Sequence, residues 1–545
     1  MAWESLKKNL LVELAGLIDH RAETADRALL HDLAGAFYGR FPADDMRERA
    51  VENMYGCLYG LLSGMREWPE PKPEVKIFNP EIQSHGWESK YTVLTVHCRG
   101  VPFTTASVRG ELNRRNLRIH AIVSTNIVAS RDDEGGLLSI SERPNTDGAD
   151  AYNEAILYFE IGRHSRPEEL EELRASLLDI LREVELVVDD FPAMCERLHE
   201  VAATIDCSDC VPDDYRDEAI AFLQWLENDH MTILGYECLE VDHSGPELQV
   251  SSPQGSRLGI LRLHETSGCP DLGADLHEYY LDDLHHKQLS FAKSGLRSRV
   301  HRLTYPDFVE IKEFDKDGQV IRQHHFLGLF TSSVYTMNPE QIPILRRKVE
   351  KIMAMTGLDS AEHESRELMR VLELFPRDEL FQSSSEQLYH TVKSVNRIQE
   401  RRQTRLFLRR DPHDKFINCL VYIPRDRYTT EQREKIEHIL TEAFGATESE
   451  FTTHFSESIL VRCHFVLRLD KSKKLEFDVN EIEGQIIQAT LAWEDRLRLR
   501  LIEEFGEEAG EQHFRDLGAG FPPGYRDDFD PRIAVLDVRK MLQLG

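Results

Sequence analysis

Three prolines at alternate positions interrupt the chain at Trp68-Pro-Glu-Pro-Lys-Pro-Glu74. Each proline removes a backbone donor and fixes φ at about −65°, so no helix can continue through this stretch. Before it, leucines such as Leu6, Leu10 and Leu14 recur at helical spacing, whereas after it the apolar residues form short runs. The prolines therefore separate a helical segment, residues 1–67, from a part that contains β-strands.

Strand and helix patterns follow the prolines in the order β-α-β-β-α. These elements are predicted, in chain order, at residues 90–99, 102–113, 117–130, 155–162 and 166–184. A polar, acidic loop, residues 131–150, joins the second and third strands. A short strand at Glu185–Val188 would complete a βαββαβ unit of the ferredoxin-like, split βαβ kind.

Residues 231–330 are rich in strand patterns, among them the runs GILRL (259–263) and RVHRLTY (299–305). Asp315-Lys-Asp-Gly318 lies between two further runs, and Asp-Gly in such a place is a strong signal for a β-hairpin. A calcium-binding loop in this segment would need a closing glutamate where His324 stands. The sequence therefore predicts a hairpin turn here.

The whole pattern predicts an α+β multidomain protein. A second α/β unit resembles the first, with elements predicted at residues 404–409, 416–425, 430–444, 458–469 and 481–504. The predicted order is helical segment 1–67, α/β unit 88–190, helical connector 191–228, mostly-β domain 229–357, helical segment 358–402, second α/β unit 403–512 and linker 513–545.

The balance of charges excludes some classes of partner. The chain has 66 lysines and arginines against 96 aspartates and glutamates, a formal net charge of −30 at pH 7. Such a chain repels polyphosphate and anionic lipid, so neither a nucleic acid nor a membrane is an expected partner. No window reaches the roughly 20 apolar residues of a membrane-spanning helix. Nine irregularly spaced cysteines indicate reduced thiols and a cytoplasmic location.

The motifs of common catalytic and cofactor sites are missing from the sequence. Gly518-Ala-Gly520-Phe-Pro-Pro-Gly524 has the wrong spacing for a dinucleotide fingerprint, and no strand pattern precedes it. Cys207 and Cys210 form one CxxC pair without the other two ligands of a zinc site. His324-His325 could ligate a metal, but one inward and one outward histidine is the commoner arrangement. We predict no catalytic, cofactor-binding or metal-binding residue.

One loop has features of a binding site. Cys98-Arg-Gly-Val-Pro-Phe103 joins a strand to a helix and offers the N–H groups of a helix N-terminus, which attract carboxylates. Amino acids carry a carboxylate, so Arg99, Gly100, Pro102 and Phe103 are candidate effector-binding residues. The alternative is a tight turn that places Phe103 in the core, since such turns also need glycine and proline.

A run of arginines forms the one basic patch of the sequence: Arg397, Arg401, Arg402, Arg405, Arg409 and Arg410. It could bind a phosphate, a nucleotide or an acidic neighbour. Charge runs usually solvate a surface, so a solvated face or an interdomain contact is the expected role.

Several motifs resemble the large NAD-dependent glutamate dehydrogenases of bacteria. FPRDELFQ (375–382) and VYIPRDRY (421–428) are long and specific. Further similar segments are RVHR (299–302), HFLGLFTSSVY (325–335) and GFPPGYRDDFDP (520–531). The resemblance covers most of residues 215–541. Residues 1–200 match the family more in the order of their predicted elements than in their amino-acid sequence.

The resemblance implies an N-terminal regulatory and oligomerisation segment in front of a catalytic domain. It assigns ACT-like folds to residues 88–190 and 403–512, and a PAS-like antiparallel sheet to residues 229–357. The parent enzyme would deaminate L-glutamate oxidatively with NAD, and the NAD would bind to the absent C-terminal domain. Expected partners are that domain, further copies of the chain and an amino-acid effector. A stand-alone amino-acid sensor and a structural spacer without a ligand are the alternatives.

Overall fold

The computed structural model describes residues 2–47, 49–141, 151–206, 212–243, 249–263, 288–358, 362–398, 401–411, 415–456, 458–470 and 477–544. Their helices are α1 (Ala2–Arg21), α2 (Arg27–Tyr38), α3 (Val51–Met65), α4 (Ile82–His85), α5 (Thr104–Arg114), α6 (Pro167–Asp206), α7 (Asp213–Trp225), α8 (Ser332–Thr336), α9 (Leu345–Thr356), α10 (His363–Leu374), α11 (Arg377–Gln382), α12 (Ser385–Ile398), α13 (Thr430–Phe444), α14 (Val479–Thr490), α15 (Trp493–Phe505), α16 (Glu507–Leu517), α17 (Pro523–Asp528) and α18 (Pro531–Leu544).

The strands of these residues form three antiparallel sheets. They are β1 (Glu74–Phe78), β2 (Thr92–Arg99), β3 (Ile119–Arg131), β4 (Leu137–Ser141), β5 (Ala151–Ile161), β6 (Met231–Asp242), β7 (Gln249–Ser251), β8 (Leu258–Gly259), β9 (Leu289–Lys293), β10 (Asp307–Phe314), β11 (Val320–Phe330), β12 (Arg405–Arg410), β13 (Phe416–Pro424), β14 (Glu448–Phe455) and β15 (Leu460–Arg468). The fold is therefore α+β, as the sequence predicts.

The first sheet has the order β1-β2-β5-β3-β4. Strand β5 lies between β2 and β3, which is the arrangement of a split βαβ unit. Helices α5 and α6 cover one face of the sheet, where Val108 and Leu177 share a core with Phe159. Helices α1 to α3 cover the other face, where the ring of Phe37 packs on Tyr158 at 5.4 Å between centroids. Cores therefore lie on both faces of this sheet, although Ile122, Ser124 and Asn126 of β3 are exposed.

The strand predicted at Glu185–Val188 is wrong, because these residues lie inside α6, a helix of 40 residues. Val184 and Val187 continue the helical spacing of the leucines before them, and this period outweighs the preference of valine for strands. Strand β1 occupies the sheet edge beside β2 instead. Part of the predicted loop forms β4, while residues 142–150 lie outside the described residues.

The second sheet has the order β7-β6-β11-β10-β9, and β8 also pairs with β6. The predicted hairpin is confirmed, since β10 and β11 pair around a turn in which Gly318 has a φ of 78°. The strands predicted at GILRL and RVHRLTY are wrong. Residues 260–262 form a 3-10 helix after Gly259, whose φ is 62°. His301 has a φ of 66°, which an extended strand does not allow.

The third sheet has the order β12-β13-β15-β14 and repeats the plan of the first. In the third sheet, the edge strand β12 is followed by β13, β15 and β14, which are the first, third and second strands of a βαββ pattern. In the first sheet, the edge strand β1 is followed in the same way by β2, β5 and β3. Helices α13 and α14 cover one face, where Ile436 and Ile486 pack with Phe465. Strand β14 was not predicted, because its sequence, ESEFTTHF, is largely polar and its side chains are mostly exposed. The helix predicted at 481–504 is two helices, broken at Leu491 and Ala492, which are extended.

Residues 513–544, which fall in the predicted linker 513–545, are largely helical. Helices α15 to α18 share a small core that includes Trp493, Leu501, Phe521 and Val538. The prolines that suggested a linker stand in the first turns of α17 and α18, where a missing N–H costs nothing.

The largest core lies between the second sheet and helices α7 and α9 to α12, and it reaches the third sheet at Leu420 and Tyr422. The second and third sheets are thus joined through one apolar interior. Among the described helices, none combines the length and the apolar composition that crossing a bilayer requires.

Candidate functional site

The predicted effector loop lies between β2 and α5, and its arginine has an acidic partner. Arg99 donates two hydrogen bonds, of 3.0 and 2.9 Å, to the carboxylate of Asp189 on α6. These hydrogen bonds raise the pKa of Arg99, and both side chains are partly exposed. Gly100 and Pro102 belong to the same loop, and Phe103 ends it with a φ of 70° in the left-handed region.

The same loop contacts the segment between β9 and β10. The ring of Phe103 lies 4.9 Å from the ring of His301, and the backbone N–H of His301 donates to Ser107 Oγ at 2.9 Å. Phe103 also packs against a small core that includes Val187 and Leu329. Burial lowers the pKa of His301. The geometry favours a contact between two parts of the chain, and the binding of a carboxylate by this loop stays a prediction.

A largely buried charge cluster lies where the second sheet, α11 and the third sheet meet. Its buried members are Lys293, Asp307, Glu379 and His464, and its partly buried members are Asp378 and Arg409. Lys293 on β9 donates to Asp307 on β10 at 2.6 Å. Its Nζ atom is also 3.1 Å from Asp378 Oδ2 on α11. One ammonium group therefore stands between two carboxylates, away from water.

The two carboxylates beside Lys293 differ in their surroundings. Burial raises the pKa of Asp307 to about 6, although Lys293 acts in the opposite direction. Burial also acts to raise the pKa of Asp378, but Lys293, His464 and Arg409 together lower it below its usual value. Burial alone would lower the pKa of Lys293, but the two carboxylates raise it well above the usual range. The ammonium group therefore stays charged, and Asp307 is the carboxylate that protonates first.

The second half of the cluster joins α11 to the third sheet. Arg409 on β12 donates one hydrogen bond to each carboxylate oxygen of Glu379, both at 2.7 Å, and a third to Gln382. His464 on β15 lies 4.0 Å from Glu379, and burial lowers its pKa. Two-point contacts of this kind fix orientation as well as distance. They hold α11 in one position against the sheet.

Arg377, at the start of α11, binds the end of the preceding helix. Its guanidinium donates to the carbonyl oxygens of Glu373 and Phe375, both at 2.8 Å, and to Met337 at 2.7 Å. Carbonyl groups at a helix C-terminus lack partners within the helix, and a cation nearby is favourable there. Burial lowers the pKa of Arg377 to about 10. The motif FPRDELFQ is therefore a structural junction.

No sequence pattern predicted the buried charge cluster. Lys293 stands in a Ser290-x-x-Lys293 spacing that many chains have by chance, and Ser290 donates to Glu310 instead. Arg409 appears in the sequence only as one arginine of the basic patch. The sequence feature that could have predicted the cluster is FPRDELFQ itself, in which two acidic residues stand between apolar residues in a short helix. Charged residues are rarely buried unless they are paired, so such a motif predicts partners elsewhere.

The arginines of the basic patch are divided among separate partners. Arg405 pairs with Glu483 at 2.6 Å and Arg409 with Glu379 at 2.7 Å. Arg402 lies 4.0 Å from Asp426 at the surface. Arg409 makes an interdomain contact, which is one of the two roles expected for the basic patch.

The remaining motifs fall in ordinary structure or outside the described residues. His324 and His325 are both buried, and not one inward and one outward, because both faces of the second sheet are covered. His324 Nδ1 is 2.9 Å from the hydroxyl of Tyr236. Gly518–Gly520 forms a 3-10 turn. Cys207 and Cys210 lie outside the described residues, and within these no cluster of three His, Cys, Asp or Glu side chains could hold a metal ion.

Four family models match parts of the chain. They are the glutamate dehydrogenase ACT1 domain at residues 33–177, helical motif 1 at 342–401, the ACT2 domain at 405–494 and helical motif 2 at 500–544. The two ACT domain models fall on the first and third sheets. The two helical motifs fall on the helices that contain FPRDELFQ and on the C-terminal helices.

Curated relatives match the chain over most of its length. A protein of Halomonas elongata named NAD-specific glutamate dehydrogenase is 37% identical over 100% of this chain and 34% of its own length. Proteins of the same name from Pseudomonas aeruginosa and Mycobacterium tuberculosis are 38% and 29% identical, over 94% and 80% of this chain and 32% and 26% of their own lengths. The chain spans about a third of the length of the first two relatives.

Proposed function

Because the chain belongs to the family of the NAD-specific glutamate dehydrogenases, we propose that it is an N-terminal regulatory and assembly segment of such an enzyme. The parent protein would convert L-glutamate, NAD and water into 2-oxoglutarate, ammonia and NADH. The observation that carries the proposal is that the whole chain matches only about a third of its relatives.

The sheet topology supports a non-catalytic role for this segment. Dinucleotide sites of the Rossmann kind lie at the carboxyl ends of parallel strands, beside a glycine-rich turn. In the part of the chain that the structure describes, every strand pairing is antiparallel. We therefore assign NAD binding and hydride transfer to the rest of the parent protein.

The isolated chain is expected to form no NADH from L-glutamate and NAD. An absorbance assay at high enzyme concentration checks this, with a complete relative from Pseudomonas aeruginosa as the active control. Steady NADH formation by the isolated chain, in proportion to its concentration, contradicts the assignment of catalysis to another part.

The finer fold assignments are proposals as well. The repeated strand order of the first and third sheets supports two related ACT-like βαββ units. The antiparallel order β7-β6-β11-β10-β9 within the six-stranded second sheet supports a PAS-like domain. Domains of these two kinds suit a regulatory segment, because each presents a sheet face or loop that a ligand or a neighbour can cover.

Two exposed surfaces support the proposed partners. Helix α18 exposes Ile533, Leu536 and Met541, a surface that a catalytic part of the same polypeptide would cover. Strand β14 is a sheet edge with exposed Phe451 and Phe455. An edge strand offers unpaired backbone groups to another chain, which favours self-association there. The net charge argues against a nucleic acid or an anionic membrane.

We also place the segment in the cytoplasm. Its described cysteines, among them Cys57, Cys419 and Cys463, are free thiols, and burial raises their pKa well above the usual value. Buried thiols of this kind are inert, as expected for structural cysteines in a reducing compartment.

A further inference from the structure

A cavity of about 610 Å³ lies between α3 and the edge of the first sheet. Its wall on the α3 side carries Gly60 and Gly64, which are four residues apart and so share one face. A Cβ atom at Gly60 would stand 3.9 Å from Trp87 Nε1, and one at Gly64 would stand 2.7 Å from Lys76 Nζ. The glycines thus keep this side of the cavity clear.

The opposite wall is the face of β1 that carries Glu74, Lys76 and Phe78. Residues at alternate positions of a strand share a face, and the residues between them, Val75 and Ile77, belong to the core under α5 and α6. An acid, a base and an aromatic ring therefore follow one another along the cavity. Lys76 Nζ is 3.8 Å from Glu74 Oε2, and both side chains are about half exposed.

The cavity also contains a buried polar atom that lacks a partner among the described residues. His97 Nε2 is 2.7 Å from Glu154, and in a neutral ring with its proton on Nε2 the Nδ1 atom is an acceptor. Nδ1 is buried and has no hydrogen-bond partner within the described residues. Trp87, which is only 5% exposed, also lines the cavity.

The sheet register places these groups in two sets. Glu74 pairs with His97, and Lys76 pairs with Thr95. Side chains of directly opposite residues lie about 5 Å apart. A carboxylate and a ring acceptor therefore meet at one point, where an ammonium group fits, and an ammonium and a hydroxyl group meet at the next, where a carboxylate fits. Beyond them, Phe78 and Trp87 lie edge to face at 6.3 Å and offer an apolar surface.

We infer that this cavity binds an amino acid with an apolar side chain. The α-ammonium group would contact Glu74 and His97, the α-carboxylate would contact Lys76 and the hydroxyl of Thr95, and the side chain would lie between Phe78 and the glycine face of α3. The volume is within the range of small-molecule sites. The inference rests on the proposed regulatory function and names its effector class and site, which is separate from the loop at Arg99.

Calorimetric titration of the whole chain with L-phenylalanine and L-leucine tests the site. Both are expected to bind, whereas phenylpropionate, phenethylamine and glycine, which lack the ammonium group, the carboxylate or the side chain, should bind at least about tenfold more weakly. L-glutamate should also bind more weakly, because its side chain is charged. Absence of heat with both apolar amino acids up to about 10 mM overturns the inference, as does equal affinity for L-glutamate.

Matched variants locate the binding. Lys76→Ala is expected to lose at least about tenfold in affinity for L-phenylalanine, and Arg99→Ala to lose none. Gly60→Leu, whose Cβ would stand 3.9 Å from Trp87 Nε1, should abolish binding, and Gly16→Leu on the exposed face of α1 should not. Loss with Arg99→Ala but not with Lys76→Ala would place the ligand in the other loop and refute the cavity site. Circular dichroism checks that each variant is folded, and none of these results depends on the NADH assay.

Discussion

Replacing Lys293 by methionine is expected to lower the free energy of unfolding by about 3–5 kcal/mol at pH 7. The variant keeps most of the length of the side chain but leaves Asp307 and Asp378 without the cation that they share. Removing one partner of a buried ion pair is costly because the other charge stays out of water. Urea unfolding measures the loss. Lys351→Met, which replaces an exposed lysine on α9, is the control and should change stability little.

The loss in Lys293→Met is expected to grow as pH rises. Without the ammonium group, burial raises the pKa of Asp307 further above its value of about 6, and Asp378 loses the largest of the interactions that hold its pKa below the usual value. A group whose folded pKa lies above its unfolded value stabilises the folded state at low pH, and this contribution is lost as pH rises through the folded pKa. The difference from the unmodified chain should therefore be smaller at pH 5 than at pH 8. An unchanged difference would mean that the carboxylates are not the cause.

Replacing Arg409 by alanine is also expected to cost about 3–5 kcal/mol, because Glu379 would remain buried without its donor. Arg405→Ala removes an arginine of the same strand whose pair with Glu483 is more exposed, and it should cost less than about 1 kcal/mol. Arg409→Lys keeps the charge but loses the two-point contact, so an intermediate loss is expected. Thermal unfolding of the three variants ranks them. Equal losses for Arg409→Ala and Arg405→Ala would show that the cluster contributes no more than a surface pair.

Much of the fold could be predicted from local patterns. The proline stretch, the hairpin at Asp315–Gly318 and the strand β13 depend on neighbouring residues alone, and the structure has all three. Strand β14 forms through hydrogen bonds with its partner β15, and the polar sequence of β14 alone does not indicate a strand. Similarly, the helical period through Val184 and Val187 extends α6 over a segment whose valines suggest a strand.

The sites were less predictable than the fold, because they depend on contacts between distant residues. Lys293 and Asp378 are 85 positions apart, since 378 minus 293 is 85, and only packing brings them together. In the sequence, Glu74 ends the proline stretch and no prediction covers Lys76 or Phe78, whereas β1 places all three residues opposite α3. For Phe103, the sequence allowed both a binding loop and a packed turn, and the His301 contact favours the second.

Helix α6 has a mechanical consequence for the whole segment. Its 40 residues extend for about 60 Å, and it packs on β1 and α5 at one end and on β6 and β8 further along. The first two sheets therefore pack on the same helix, and neither sheet can tilt against the other while α6 is straight. Pro192 cannot donate to the carbonyl of Val188, so bending costs least at this turn. A tilt between the sheets would pivot there.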